Sequence, residues 1–419
     1  MDKFKIKDNI NLYYIKDDKY KTTSITTYVN RRLKREEVTK NALLAKVLSR
    51  GTSKYNTIET INSHLENMYG TLYSIDVLKK ANVQCIQCSV SNISDKYTND
   101  DITAQSAKLM LDFLFDPYTV NCVFDNGYVE GEKQNLKDDI EAIVNDKRSY
   151  ANMRVIEEMC KGEDNAIMDC GYVEDLPSIN NINLYEHYKN IIFSSPIDIY
   201  VVGDTDIENI KNVISDYMSK FQFDISDIDC DKSIKKASQI KYVDEVMAVN
   251  QGKLAIGYRT GINIDSPLYY ALLVGNSIFG AGAHSKLFNN VREKMSLCYY
   301  ASSRLDKFNA LMIVSSGIEF ANYEKAKSEI FVQLDAVKTG DFTDDELQIA
   351  KSFIVNSYNS FFDSPYMLRD YYYGQKFCTN KDSLEDAIDK VNNVTRQDII
   401  DAFSYITADT VYFLKGKEA

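Results

Sequence analysis

The sequence predicts an α+β protein made of two homologous α/β halves. Three observations carry this. The chain has 419 residues, more than one hydrophobic core usually holds. Its succession of strand-like and helical segments breaks in a polar stretch and then restarts. Two pieces also recur at similar spacing. HLENMYGTLYSIDVLKKANVQCIQCSVS resembles NVREKMSLCYYASSRLDKFNALMIVSSG 226 residues later, and a helix–strand–glycine unit ending at Gly203 recurs 213 residues later at Gly416.

The elements follow in order. Residues 10–15 and 23–29 read as strands, the second being the run Thr23-Ser24-Ile25-Thr26-Thr27-Tyr28-Val29. A helix is expected over 38–49, where Leu43, Leu44, Val47 and Leu48 recur at helical spacing and Gly51 follows as a stop. A helix at 58–68 leads into strands near 72–78 and 83–91. Cys85 and Cys88 form C-x-x-C in the second of these strands. Residues three apart on a strand point to opposite faces, which argues against a redox or metal role. Helical stretches follow at 101–115, 125–161 and 183–192, then a strand at 197–203 and a helix at 206–220. The first half is placed at 1–221. Residues 222–240 are rich in Asp and Lys and lack periodicity, so they read as a linker; a surface excursion within one domain is the other reading.

The second half, 241–419, opens with a strand at 251–258. Asp265-Ser266-Pro267 is expected to cap a helix, with Pro in its first turn. A short helix at 285–294 precedes strands at 298–304 and 309–318. Helices at 322–338 and 343–362 follow, the latter opening with the capping box Thr343-x-x-Glu346. A helix at 395–405 and a strand at 410–414 close the chain.

Composition excludes several classes. A hydrophobic share of 44% and a charged share of 26% are those of a soluble globular protein. A net charge of -12 and a pI near 5.0 argue against broad binding to nucleic acid or anionic membrane, both polyanions. No run of about 18 apolar residues is present, so no membrane span is expected. The first eight residues lack an apolar signal region, and the eight cysteines form no compact framework; the expected location is the cytoplasm. The turn Gly280-Ala281-Gly282 follows a helical stretch and lacks a third glycine, so it is no dinucleotide fingerprint. It reads as a tight turn that lets a peptide backbone come close. Tyr371-Tyr372-Tyr373 and Phe361-Phe362 suit either a core or a peptide-lined chamber.

Specific chemistry enters at FGAGAHSKLFNNVREKMSLCYYAS (279–302). It resembles the signature of pitrilysin/insulinase-type zinc peptidases: a glycine-rich turn, then R-E-x-x-G-L-x-Y. Here that pattern reads Arg292-Glu293-Lys294-Met295-Ser296-Leu297-Cys298-Tyr299, with Ser296 replacing the glycine. LSRGTSKYNT (48–57) resembles the family segment after the metal helix, and GEKQNLKDDI (131–140) its E-x6-E helix. The resemblance implies two halves, each a mostly antiparallel sheet covered by helices, that enclose half of a peptide chamber. Active members carry H-x-x-E-H, two His that bind zinc and a Glu that activates water. Counting back from Gly51 puts those positions at Ala42, Ala45 and Lys46, and the third ligand at Asp139 after Glu132. Alanine ligates nothing and a lysine ammonium repels a cation. His64, His187 and His284, the only histidines, sit in unrelated contexts and read as ordinary surface or interface residues. No metal is therefore expected in this chain.

In the family, the Arg/Tyr pair reaches from the zinc-free half to the substrate backbone at a zinc site. The resemblance implies that Arg292 and Tyr299 donate to a carbonyl whose oxygen gains charge; the plain alternative is a surface ion pair and a core-edge tyrosine. The expected function is the non-catalytic subunit of a heterodimeric metallopeptidase, with a homologous zinc-bearing partner and small or unfolded peptides as substrate. Bacterial pairs of this kind are linked to peptide maturation and to translation-factor modification, and the sequence does not choose between them. The alternative is a stand-alone peptide-binding or scaffolding pseudopeptidase. An independent hydrolase finds no support, because G-x-S-x-G is absent.

Overall fold

The computed structural model describes residues 1–228 and 234–417. The first part of the chain runs β1 (Asp2–Lys7), β2 (Ile10–Lys16), β3 (Thr22–Arg32), α1 (Val38–Leu48), α2 (Ile58–Asn67), β4 (Leu72–Lys80), β5 (Val83–Ile93) and α3 (Ile102–Phe115). A short hairpin of β6 (Thr119–Val120) and β7 (Val123–Phe124) leads to α4 (Asn126–Ala142) and α5 (Lys147–Met159). Then come α6 (Asn181–Ser194), β8 (Ile197–Gly203) and α7 (Ile207–Met218). The second part runs β9 (Lys241–Val246), β10 (Gly252–Arg259), α8 (Tyr269–Phe279), a π-helix (Leu287–Lys294), β11 (Cys298–Asp306) and β12 (Leu311–Ile318). It ends with α9 (Tyr323–Lys338), α10 (Asp344–Phe361), α11 (Pro365–Gln375), α12 (Leu384–Asn392), α13 (Arg396–Ser404) and β13 (Thr407–Lys415).

Two compact units result. One comprises Met1–Glu141, Ile167–Asp231 and Pro365–Asp370; the other Ala142–Ala166, Lys232–Ser364 and Tyr371–Ala419. Relative to halves drawn at 1–221 and 241–419, α5 and its flanks fall in the second unit and the head of α11 in the first. Within 222–240, residues 222–228 and 234–240 carry no helix or strand, and 229–233 lie outside the described residues.

The two sheets repeat one topology. The first has the order β1-β2-β8-β3-β5-β4, the second β9-β13-β10-β12-β11. In both, one parallel pair (β2 with β8, β9 with β13) is followed by antiparallel pairs only. The duplication read from the sequence is thus a duplication of strand order. One face of the first sheet packs on α1, α3, α6 and α7 through Leu12, Ile25, Ile86, Leu43, Met110, Ile191 and Ile214. Cys88 joins this core whereas Cys85 lies outside it, as opposite strand faces require.

The second sheet is covered on both faces. α8, α9 and α13 bury one through Leu254, Ile256, Met312 and Val314. α5 covers the other with Ala151, Val155 and Met159, spaced four apart, against Ala255, Ile313 and Tyr412. Gly257 makes room for this helix, since a Cβ there would sit 2.7 Å from Met159 Sδ. Arg259 pins the following loop. Its guanidinium donates to both carboxylate oxygens of Glu163 (2.6 and 3.0 Å), to Asp409 (2.9 Å) and to the Met159 carbonyl (2.7 Å).

Three expectations need correction. The helical stretch 125–161 is two helices, because Asp146 accepts from the Arg148 and Ser149 amides and starts α5 afresh. Asp265 does not cap α8. Its carboxylate takes the Thr379 amide and hydroxyl instead, and the helix begins at Tyr269. The helix over 285–294 is π-wound. The Thr343–Glu346 capping box is present.

Candidate functional site

The site begins at the end of α8. Gly280 lets that end lie against β11, where its carbonyl accepts the Ser303 amide (2.9 Å); a Cβ would meet Ser303 Oγ at 2.5 Å. Its close approach is therefore to this chain's own strand. Gly282 has φ +134, a conformation that side chains disfavour. Next, Ser285, just before the π-helix, accepts the Phe288 amide through its hydroxyl (3.3 Å). Leu287 and Val291 anchor the helix in the core, and Asn290 ties it to Gln333 of α9 (2.6 Å). Such wide-wound segments recur at functional sites because they displace side chains from the α-helical spiral.

The helix stops in a left-handed residue. Ser296 has φ +51, and the Leu297 amide reaches back to the Val291 carbonyl (3.0 Å). A related stop exists in the first half, where two residues in a row are left-handed, Tyr69 (φ +56) and Gly70 (φ +73), and the Thr71 amide reaches the Leu65 carbonyl (3.2 Å). Each of these residues lies 226 before its counterpart. Ser296, at the glycine position of the R-E-x-x-G-L-x-Y pattern, thus takes a left-handed conformation, as Gly70 does at the matching position of the first half.

A β-bulge then sets Tyr299. β11 is an edge strand, and its register with β12 shifts between Cys298 and Tyr300. Cys298 and Ala301 face the helical core, so Tyr299 is the extra residue; it is left unpaired and 59% exposed. The corresponding Tyr73 of β4 has no bulge. It stacks on Phe113 (4.6 Å) and donates to the Ser49 carbonyl (2.9 Å). Tyr299 instead donates to Glu319 Oε1 (3.1 Å), whose carboxylate holds the phenol above its ordinary pKa. Arg292 pairs with Glu293 (3.2 Å), and its guanidinium lies 4.6 Å from the Phe288 ring centre. Arg292, Tyr299, Glu293, Ser296 and Glu319 line one recess of about 450 Å³. The structure thus brings the expected pair to one cavity. It adds Glu319, 20 residues further on and invisible in the motif.

The other expected positions lie on α1 and α4. Ala42 and Ala45 are 3% and 1% exposed in the first core. Lys46 forms an ion pair with Asp139 at 2.6 Å, and Glu132 pairs with Arg50 at 2.6 Å. This donor set does not fit zinc: two of the four side chains are methyl groups and a third is a cation already holding the fourth. Among the described residues, no three His, Cys, Asp or Glu side chains cluster as metal ligands.

The histidines are engaged elsewhere. His64 stacks on Tyr55 (4.3 Å), and His284 Nε2 lies 3.0 Å from Ser277 Oγ. His187, expected as a surface or interface residue, is partly buried. It bonds Asn41 (2.7 Å), and burial pushes it down to about 4. Tyr371 and Tyr373 are buried. Among the described residues no helix is long and apolar enough to cross a membrane.

Comparison with known proteins agrees with this geometry. Residues 178–354 match the family described as "Peptidase M16 inactive domain". The chain is 37% identical over 411 residues to the probable inactive metalloprotease YmfF of Bacillus subtilis, covering 98% of this chain and 96% of that one. It is 28% identical over 165 residues, 39% of this chain and 42% of the relative, to AlbE of the same species, an antilisterial bacteriocin subtilosin biosynthesis protein. Among solved structures, a conserved protein from Enterococcus faecalis superposes with a TM-score of 0.90 at 28% identity, over 100% of this chain and 99% of that one. An M16 inactive domain from Pseudomonas fluorescens shares the fold, with a TM-score of 0.81 at 14% identity, over 99% and 98% of the two chains. The chain belongs to the M16 peptidase family, as one of its inactive members.

Proposed function

We propose that this chain is the non-catalytic subunit of a two-chain M16 metallopeptidase that processes small or unfolded peptides. The partner, a homologue carrying H-x-x-E-H, would hold the zinc. The observation that carries the reading is the outward recess of Arg292 and Tyr299. A bulge, a π-helix and a left-handed turn all serve to present these two side chains. A chain that only needed to fold would have no use for them, as the packed Tyr73 of the other half illustrates. A guanidinium and a phenol there donate to a carbonyl oxygen that gains negative charge, and they stabilise the charged state more than the ground state. A peptide in extended form can pair with a sheet edge, which gives affinity without sequence dependence. The role of the relative AlbE in bacteriocin biosynthesis favours peptide maturation as the setting.

The test starts with pull-down of the tagged chain from its native extract and identification of what accompanies it. Recovery of a similar-sized H-x-x-E-H protein is expected. Cleavage by that pair should then fall about 10²-fold or more in Arg292→Ala, and by a smaller factor in Tyr299→Phe, with assembly intact. Recovery of the chain alone, or unchanged turnover in both variants, would favour the scaffolding pseudopeptidase.

A further inference from the structure

This inference rests on Tyr299 being a donor and names what holds it ready. We propose that Glu319 is the positioning residue of the site: it holds the Tyr299 phenol at the recess as a proton-bearing donor until a substrate carbonyl takes over the bond.

The bulge frees Tyr299 from strand pairing and leaves the ring exposed, so packing alone does not fix its torsions. A phenol has one O–H, and Glu319 Oε1 accepts it at 3.1 Å. Glu319 is well placed to act as an anchor. It follows Ile318, which is fully buried and whose backbone is paired on both sides, with Gly252 and with Cys298. The carboxylate thus extends from one of the most constrained points of the sheet to one of its least constrained side chains.

The other ionisable groups at the recess do not replace it. Arg292 and Glu293, from the π-helix, engage each other. Cys298, on the tyrosine's own strand, turns into the core, and burial raises its thiol pKa. Glu319 is the group that raises the phenol's pKa. A carboxylate beside a phenol disfavours phenolate, so the proton that must be donated stays on the ring. Handing it to a substrate exchanges one hydrogen bond for another at a solvated rim, and Glu319 is then rehydrated.

The experiment uses the full chain with tyrosine labelled by ¹³C at the oxygen-bearing ring carbon. The Tyr299 resonance is assigned by its loss in Tyr299→Phe. Its titration midpoint should fall by about half a pH unit or more in Glu319→Gln and Glu319→Ala, a roughly three-fold change in proton affinity. An unmoved midpoint overturns the proposal. With the partner present, Glu319→Ala should lower kcat about three- to ten-fold with little change in KM, and Glu319→Gln, which keeps an acceptor oxygen, should restore most of it. Full turnover in Glu319→Ala, or equal losses in both, also overturns it. A moved midpoint with unchanged turnover in Tyr299→Phe would instead remove the subunit reading and leave the hold of Glu319 on Tyr299 standing.

Discussion

Replacing Ser296 by glycine should stabilise the second unit. Ser296 sits at φ +51, where a Cβ crowds the following carbonyl at a cost of roughly 1–2 kcal/mol. Glycine removes that cost but gives the unfolded chain about 0.5–1 kcal/mol of extra freedom. The serine side chain is exposed, so little packing is lost. The net expectation is a gain of about 0.5–1 kcal/mol, or a melting point about 1–4 °C higher for a unit of this size. Gly70, at the matching position of the first half, is a left-handed glycine followed by an amide that makes the corresponding backward hydrogen bond. The control is Ser296→Val, whose branched Cβ fits this region worst and should destabilise by more than 1 kcal/mol or so. Thermal and urea unfolding of the three proteins side by side is the assay. A lower melting point for the glycine variant would refute the reasoning, because it would mean that the turn carries no strain to relieve.

Two further outcomes test the packing. His187 is held near 4, below the ordinary 6.5 of a free imidazole, by burial against Asn41. A depressed histidine gives stability that is fully present above about pH 6.5 and is lost as pH falls towards 4, about 3 kcal/mol in all. His187→Gln should flatten that part of the stability–pH profile, and an unchanged slope would show the ring to be solvated. Glu163→Ala leaves Arg259 with Asp409 as its remaining carboxylate and should cost about 1–3 kcal/mol. Earlier proteolysis within residues 142–166 reports it, and unchanged resistance would show that the Glu163–Arg259 pair does not hold α5 in place.

How much of this was legible in the sequence depended on periodicity. β3, β5, β8, α1 and α10 declared themselves through β-branched runs, helical spacing and caps. β9 did not, because the sequence Lys-Tyr-Val-Asp-Glu-Val forms a largely exposed edge strand and needs no clean apolar face. β1, another edge strand, escaped for the same reason. α4 and α5 ran together because the helical pattern continues through the break, and Asp146 was the neglected cue. In the site, Arg292 and Tyr299 were legible as motif letters. Their presentation was not, because a π-turn and a bulge change which way a residue points without changing which residue it is. Glu319 became visible only once β11 and β12 were paired.

The metal positions lead to a last prediction. The tempting experiment is to restore the ligands with Ala42→His, Ala45→Glu and Lys46→His. The packing argues that this fails. Nine of the eleven residues of α1 are buried, Ala42 and Ala45 among them, so the neighbours have closed over two methyl groups where a zinc helix needs an imidazole and a carboxylate. Overpacking costs about 1–3 kcal/mol per site, and a buried unpaired carboxylate adds several more. Removing Lys46 also deprives Asp139 of its partner, though that pair is partly exposed and contributes at most about 1 kcal/mol. The triple variant should therefore melt several degrees lower and purify without stoichiometric zinc, as read by elemental analysis after dialysis. Stoichiometric zinc would show that α1 still has room for a metal and that only the ligands were lost. The expected result means that the core has repacked over the positions where active members hold their zinc, so the loss cannot be reversed by restoring the ligands alone.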